Sequence, residues 1–236
     1  MRPGVAWRIA VTIATIVGVE AIVCGLAAAP LVALWWWAWP WVQRAGTLRA
    51  VAAISAGIVP TYALFALSIV PWSALATRVT GARTPPDLEM RIVDYEWPLM
   101  RWARYMAALH VVRVFAGTLF RGSPIWTWHL RLEGARVGRH VYVNTVFISD
   151  HNLLEFGDAT VIGADAHISG HTVEHGIVKT GRVRLGRGVT IGLVSMVDID
   201  TDIGDGCQVG ALSVVPKHAR LEAGATYAGI PAARLK

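Results

Sequence analysis

The chain has 236 residues, 54% of them hydrophobic and 16% charged, with a formal net charge of +6. A mean hydropathy of +0.47 excludes a disordered chain and an ordinary soluble domain. The two cysteines, Cys24 and Cys207, have neither metal-ligand spacing nor the density of a disulfide scaffold.

The apolar excess sits in the first third. Positions 9–42 hold one charge, Glu20, and positions 50–77 hold none. Each stretch exceeds the ~20 apolar residues that cross a bilayer core. The first run is too long for a cleavable signal peptide, and a second follows it. Residues 1–90 are therefore expected to form a hairpin of two transmembrane helices, turning around 43–49. Trp35, Trp36, Trp37, Trp39 and Trp41 crowd one end of the first span, where indole rings favour the interface. Pro60 and Pro71 kink the second span without excluding it. Arg2, Arg8, Arg78 and Arg83 flank the hairpin, against Arg44 and Arg49 in its turn. That bias puts both termini, and the domain beyond, on the cytoplasmic side of the cell membrane as a multi-pass protein. Glu20 is costly in lipid and is expected to face a neighbouring helix or a polar cavity.

Residues 91–130 read as an interfacial helical linker. Trp97, Trp102, Trp126 and Trp128 mix with Arg101, Arg104, Arg113 and Arg121, as in helices that lie on an anionic leaflet. The positive charge is assigned to the lipid bilayer. No nucleic-acid partner is expected, because no basic-aromatic motif for base stacking occurs.

Residues 131–236 change period. A branched aliphatic returns every sixth position at Leu185, Ile191, Val197, Ile203, Val209 and Val215, and Gly186, Gly192, Gly204 and Gly210 follow four of them. Six is neither the helical 3.6 nor the alternation of a half-buried strand. It marks a parallel β-helix, one short strand and one corner per hexapeptide, with the glycine at the corner. Val137 and Val143, then Phe156, Ile162 and Ile168, extend the register upstream, and Leu221 and Tyr227 extend it downstream. Two breaks interrupt it. Thirteen residues replace twelve between Val143 and Phe156, and seventeen replace eighteen between Ile168 and Leu185. The second break contains the polar stretch 169–181, read as a loop thrown out of the prism wall, where chemistry concentrates.

Three stretches carry a family resemblance: VNTVFISD from Val143, ISGHTVEH from Ile168, and VGALSVVPK with YAGIPAARL between Val209 and Leu235. With these, the chain resembles the left-handed β-helix acyltransferases of the hexapeptide-repeat superfamily. The Gly-Ala-x-Ser-Val-Val and Ala-Gly-x-Pro-Ala segments recur at the C-terminal end of galactoside, maltose and xenobiotic acetyltransferases. It is most similar to the membrane-attached transferase-like region of nonribosomal peptide synthetases of the poly-lysine type, over roughly residues 97–236. There too, membrane helices precede a stretch like LRLEGARVGRHVYV.

The resemblance implies a left-handed parallel β-helix behind an α-helical transmembrane hairpin. It also implies direct acyl transfer from acetyl-CoA to a hydroxyl or amine, with His171 as general base. Histidine suits that task because its pKa lies near neutrality. Asn144 would reach the acceptor. Asp150 would orient the imidazole, with Glu174 as a rival and a turn aspartate bonding its own backbone as the alternative. The pantetheine arm would run beside Leu193, Gly210, Ala211 and Ser213. Lys217 and Arg234 would meet the coenzyme's phosphates, although Pro216 stands where the family has threonine. His175 is an optional substrate or structural residue, and His167 faces the prism wall. The site would lie between subunits of a homotrimer, and no metal is expected. The acceptor would be a cell-envelope sugar, a lipid-linked saccharide or a peptide. Two other functions remain open: a non-catalytic trimeric scaffold, and a zinc hydratase of the γ-carbonic-anhydrase kind. For the hydratase, the four-residue spacing of His171 and His175, with His140 or His151 as the third ligand, fits poorly.

Overall fold

The six-residue spacing sets the architecture. In the computed structural model, which describes residues 4–235, the anchors stack as three columns on the three walls of a parallel β-solenoid. Arg2, counted above for orientation, and Lys236 lie outside the described residues. The first wall contains β2 (Arg136–Val137), β5 (Leu154–Phe156), β10 (Val183–Leu185), β13 (Thr201–Ile203) and β16 (Arg220–Leu221). Its column is Val137, Phe156, Leu185, Ile203 and Leu221. The second contains β3 (Tyr142–Val143), β6 (Val161–Ile162), β11 (Thr190–Ile191), β14 (Gln208–Val209) and β17 (Thr226–Ala228). It aligns Val143, Ile162, Ile191, Val209 and Tyr227. The third contains β4 (Ile148–Ser149), β7 (His167–Ser169), β12 (Met196–Val197) and β15 (Val214–Val215), aligning Ile148, Ile168, Val197 and Val215. All but Val137 are buried, each contributing about 1.5–3 kcal/mol of burial.

The corners divide two tasks between two positions. The residue three past an anchor turns the chain: His140, Asp165, Val194 and Leu212 have φ of 54–57°. The glycine directly after the anchor has no positive φ, so it is not the turning residue. A Cβ on Gly157 would lie 2.5 Å from the carbonyl carbon of Gly186, and one on Gly163 would lie 2.7 Å from the Leu193 nitrogen. Glycine is needed there because the next coil passes directly overhead.

Both register breaks have a structural cause. Ile148, five residues after Val143, takes the third-wall position opposite Ile168. A 3-10 turn, His151–Leu153, then absorbs the surplus before β5. The second break is not an irregular loop. It is an antiparallel hairpin of β8 (His171–Glu174) and β9 (Ile177–Thr180), joined by β1 (Glu89–Arg91) into a three-stranded sheet.

Helices α1 (Val5–Arg44) and α2 (Thr47–Thr80) are each long and apolar enough to cross a membrane. Trp36, Trp37, Trp39 and Trp41 are exposed on α1, and Val51, Ile58 and Val59 on α2. Buried positions on α2 begin only at Ala66. Glu20 lines a small cavity with Thr15, Thr77, Thr80 and Arg104, as its cost in lipid demands. The linker is α3 (Trp97–Val112), a π turn (Arg113–Gly117), α4 (Thr118–Phe120) and α5 (Pro124–Leu132). Two of its four tryptophans serve the protein interior rather than a leaflet. Trp126 is buried and donates to the Thr145 carbonyl at 2.9 Å, and Trp102 packs on a histidine described below. Glu133, at the end of α5, ties α2 to the solenoid. It accepts from Thr77 Oγ1 at 3.0 Å and Ser73 Oγ at 3.4 Å. Burial pushes its carboxyl up to about 7, against the pull of those hydroxyls and of Arg78 and Arg83.

Two measurements test this account. Gly157→Ala should cost about 1–3 kcal/mol by overpacking, read as a lower Tm by circular dichroism; an unchanged Tm would refute the close-approach role. Glu133 binds its proton more tightly folded than unfolded, so its share of stability is complete below the unfolded pKa of 4.5 and is lost as pH rises towards 7. The Tm of the native chain should therefore fall over that window more steeply than that of Glu133→Gln.

Candidate active site

The register of the third wall brings two distant residues together. Ser149 and Ser169 are opposite each other in β4 and β7, with hydroxyls 3.0 Å apart. The chain leaves the wall just after each: at Asp150, with φ 57° and ψ 45°, and at Gly170, followed by His171. Asp tolerates the left-handed region better than most residues. A Cβ on Gly170 would come within 2.8 Å of the Asp150 Cβ, so glycine there lets the two strand ends close on one another.

The result is a carboxylate–imidazole pair. Asp150 Oδ2 lies 2.5 Å from His171 Nδ1. The Asp150 side chain is fully buried, whereas that of His171 is 22% exposed. Asp150 Oδ1 accepts from Thr84 Oγ1 at 2.5 Å, and Ser169 Oγ lies 3.4 Å from Oδ2 and 3.1 Å from Nδ1. The Trp102 ring meets the imidazole edge-on, with centroids 5.0 Å apart. Nε2 of His171 has no hydrogen-bond partner among the described residues. A carboxylate on Nδ1 fixes the tautomer with its proton there, leaving the Nε2 lone pair outward as a proton acceptor.

Other candidates fall elsewhere. Glu174 does not orient His171, because it pairs with Lys217 at 2.5 Å and Lys179 at 3.5 Å. That pairing also occupies the Lys217 ammonium, and the Arg234 guanidinium meets Glu222 at 2.5 Å. Ser213 is fully buried, and its hydroxyl donates to the Ala211 carbonyl and accepts from Gly229 N–H. It therefore braces a coil. Leu193 and Leu212 are exposed beside Gly210 and Ala211 and make that corner an apolar edge. Asn144 sits at a corner near Gly122, and no hydrogen bond joins it to His171 or Asp150 among the described residues. His175 forms the hairpin tip with Gly176, both at positive φ. His167 is exposed and stacks on Phe147 at 5.8 Å. Its pKa is lowered by burial first, then by the charges of Arg113 and His171. His151 is buried against His129, and among the described residues no three His, Cys, Asp or Glu side chains converge.

Thr84 and Trp102 escape sequence reasoning. Thr84 is 66 residues from Asp150 and belongs to no repeat. Thr84→Val should cost about 1–3 kcal/mol by leaving a buried carboxylate oxygen without its donor, and Thr84→Ser should recover most of it in denaturant titration. Equal losses in both would mean that the methyl group, not the hydroxyl, matters.

No family model matches the chain. A Delta-poly-L-ornithine synthetase of Acinetobacter baumannii is 28% identical over 112 residues, which is 48% of this chain. The match spans only 8% of that relative's length. Among solved structures, a hexapeptide-repeat-containing acetyltransferase of Vibrio cholerae is 17% identical with a TM-score of 0.39, covering 54% of this chain and 91% of the other. An N-acyltransferase of Bacillus cereus, in complex with dTDP-4-amino-4,6-dideoxyglucose and coenzyme A, is 22% identical with a TM-score of 0.35, covering 43% and 59%. These two structures, to which the solenoid is similar in fold, are an acetyltransferase and an N-acyltransferase.

Proposed function

We propose that the chain is a membrane-anchored acyltransferase that moves an acetyl group from acetyl-CoA directly to a hydroxyl or amine, with His171 as general base. The observation that carries this reading is the fully buried Asp150 on Nδ1 of His171, with Nε2 left open. A thioester carbonyl is already activated, so no enzyme nucleophile is needed. The acceptor oxygen or nitrogen attacks the carbonyl carbon as Nε2 takes its proton. The tetrahedral intermediate then collapses, the carbon–sulfur bond breaks, and the imidazolium returns a proton to the leaving thiolate. Asp150 holds the tautomer and stabilises the imidazolium. Asn144 helps place the acceptor, and the pantetheine arm follows the apolar edge of Leu193 and Leu212 beside Gly210 and Ala211.

The remaining assignments rest on exposure and likeness. Positions 47–65 of α2 hold no buried residue, a length of roughly 28 Å against a hydrocarbon core of ~30 Å. That match supports membrane anchoring, with the solenoid on the cytoplasmic side. The exposed apolar corner supports assembly of like subunits, a homotrimer with the site between neighbours. The similarity to a Delta-poly-L-ornithine synthetase adds weight to a peptide acceptor over a saccharide.

His171→Ala should reduce acetyl-CoA-dependent transfer to background in the detergent-solubilised chain, read as thiol release over a panel of amines and alcohols. Asp150→Asn should lower the rate by about 10²–10⁴-fold. Full activity in His171→Ala would overturn the base assignment. No acetyl-CoA binding by calorimetry would overturn the transferase reading.

A further inference from the structure

We propose that Arg113 binds an anionic group of the acceptor, so that the molecule acylated at His171 carries a carboxylate or phosphate. The inference rests on the reading of His171 as the acceptor's base and adds to it the chemical class of substrate.

Three observations carry it. Arg113 begins a π turn, Arg113–Gly117, within an otherwise α-helical linker. Such a turn re-aims the side chains around it and is frequent at functional sites. Second, the side chain is only partly exposed and poorly satisfied. Its one hydrogen bond is from Nη2 to the Ile148 carbonyl, at a long 3.4 Å, and no carboxylate lies within ion-pair distance among the described residues. A guanidinium has five donors and no acceptor, and the donors of Arg113 that the Ile148 carbonyl does not take are open to a ligand's oxyanion. Burial lowers its pKa.

The third observation is location. Ile148 lies beside Ile168 in the wall from which His171 emerges, and Phe147 stacks on His167 next to it. The charge of Arg113 reaches His167, whose affinity for a proton is lowered first by burial and then by Arg113 and His171. Trp102, which packs on His171, precedes Arg113 by eleven positions. That is about three helical turns, so Arg113, one residue past the end of α3, continues the face that carries Trp102, about 16 Å further along the axis. An acceptor extended along this face would present its nucleophile at His171 and its anion at Arg113. Asp165, the acidic residue at the corner before β7, is already paired with Arg121 at 3.0 Å. The shared chemistry is an oxyanion, borne either by a small soluble molecule or by a lipid headgroup.

The test reads binding rather than turnover. The full chain in detergent, with isotope-labelled histidines, is titrated with acetate, inorganic phosphate and dihexanoyl phosphatidic acid while His167 is followed by NMR. An anion on Arg113 offsets its charge, so the His167 titration midpoint should rise saturably. The response should weaken at least tenfold in Arg113→Gln and survive in part in Arg113→Lys. Tighter binding of the phosphatidic acid than of phosphate would assign the anion to a lipid-borne acceptor, and equal binding to a soluble one. No saturable shift with any probe, or an undiminished one in Arg113→Gln, overturns the proposal. So does dissociation of the assembly in Arg113→Gln, which would make the guanidinium a subunit contact. Because the readout needs no catalysis, an active His171→Ala would sink the base assignment without touching this result.

Discussion

Strands of neighbouring coils hydrogen-bond in parallel at about 4.8 Å, and everything else in the solenoid follows from that spacing. It demands an inward apolar side chain at each strand, so the anchors form continuous columns. It forbids a Cβ where one corner passes over the next, so glycine follows the anchor at positions such as Gly157 and Gly163. It also sets the pairing of Ser149 with Ser169, from which Asp150 and His171 leave the wall side by side. The Asp150–His171 pair is thus a consequence of coil register and not of a dedicated loop scaffold.

The solenoid was legible because its rule is local: a period of six survives in any window a few coils long. Every anchor from Val137 to Tyr227 occupies a wall position. The breaks were legible as breaks but not as shapes. The polar run 169–181 carries no alternation strong enough to announce a hairpin, and its partner strand β1 lies some eighty residues upstream. Ser213 shows a different limit. Its motif gives no sign that the hydroxyl closes hydrogen bonds inside the coil, to the Ala211 carbonyl and from the Gly229 amide. His171 was found through its motif. That Asp150 rather than Glu174 stands beside it required coordinates, because Glu174 is held by two lysines across the hairpin.

Least legible was the dependence of the site on the N-terminal helices. Thr84 lies just past the end of α2 and binds Asp150, Trp102 of α3 packs on His171, and Ser73 and Thr77 of α2 hold Glu133. Each contact joins residues from segments whose compositions have nothing in common, so no sequence period links them. Together they make the N-terminal helical part a structural wall of the site. A tilt of the hairpin relative to the solenoid would be felt first at Asp150, whose buried carboxylate has no solvent to replace a lost donor.

The last strand, β18 (Ala233–Arg234), runs antiparallel to β17, the only reversal in the three walls among the described residues. A stack of parallel coils otherwise ends in free backbone amides and carbonyls, a template on which another chain can continue the ladder. The reversed strand covers that template on the second wall. The other two walls stop at β16 and β15, only two residues long. At the opposite end, α5 packs across β2 and β3. The reversed strand at one end and α5 at the other cover part of the exposed ladder, which leaves fewer unpaired backbone groups for another chain to join.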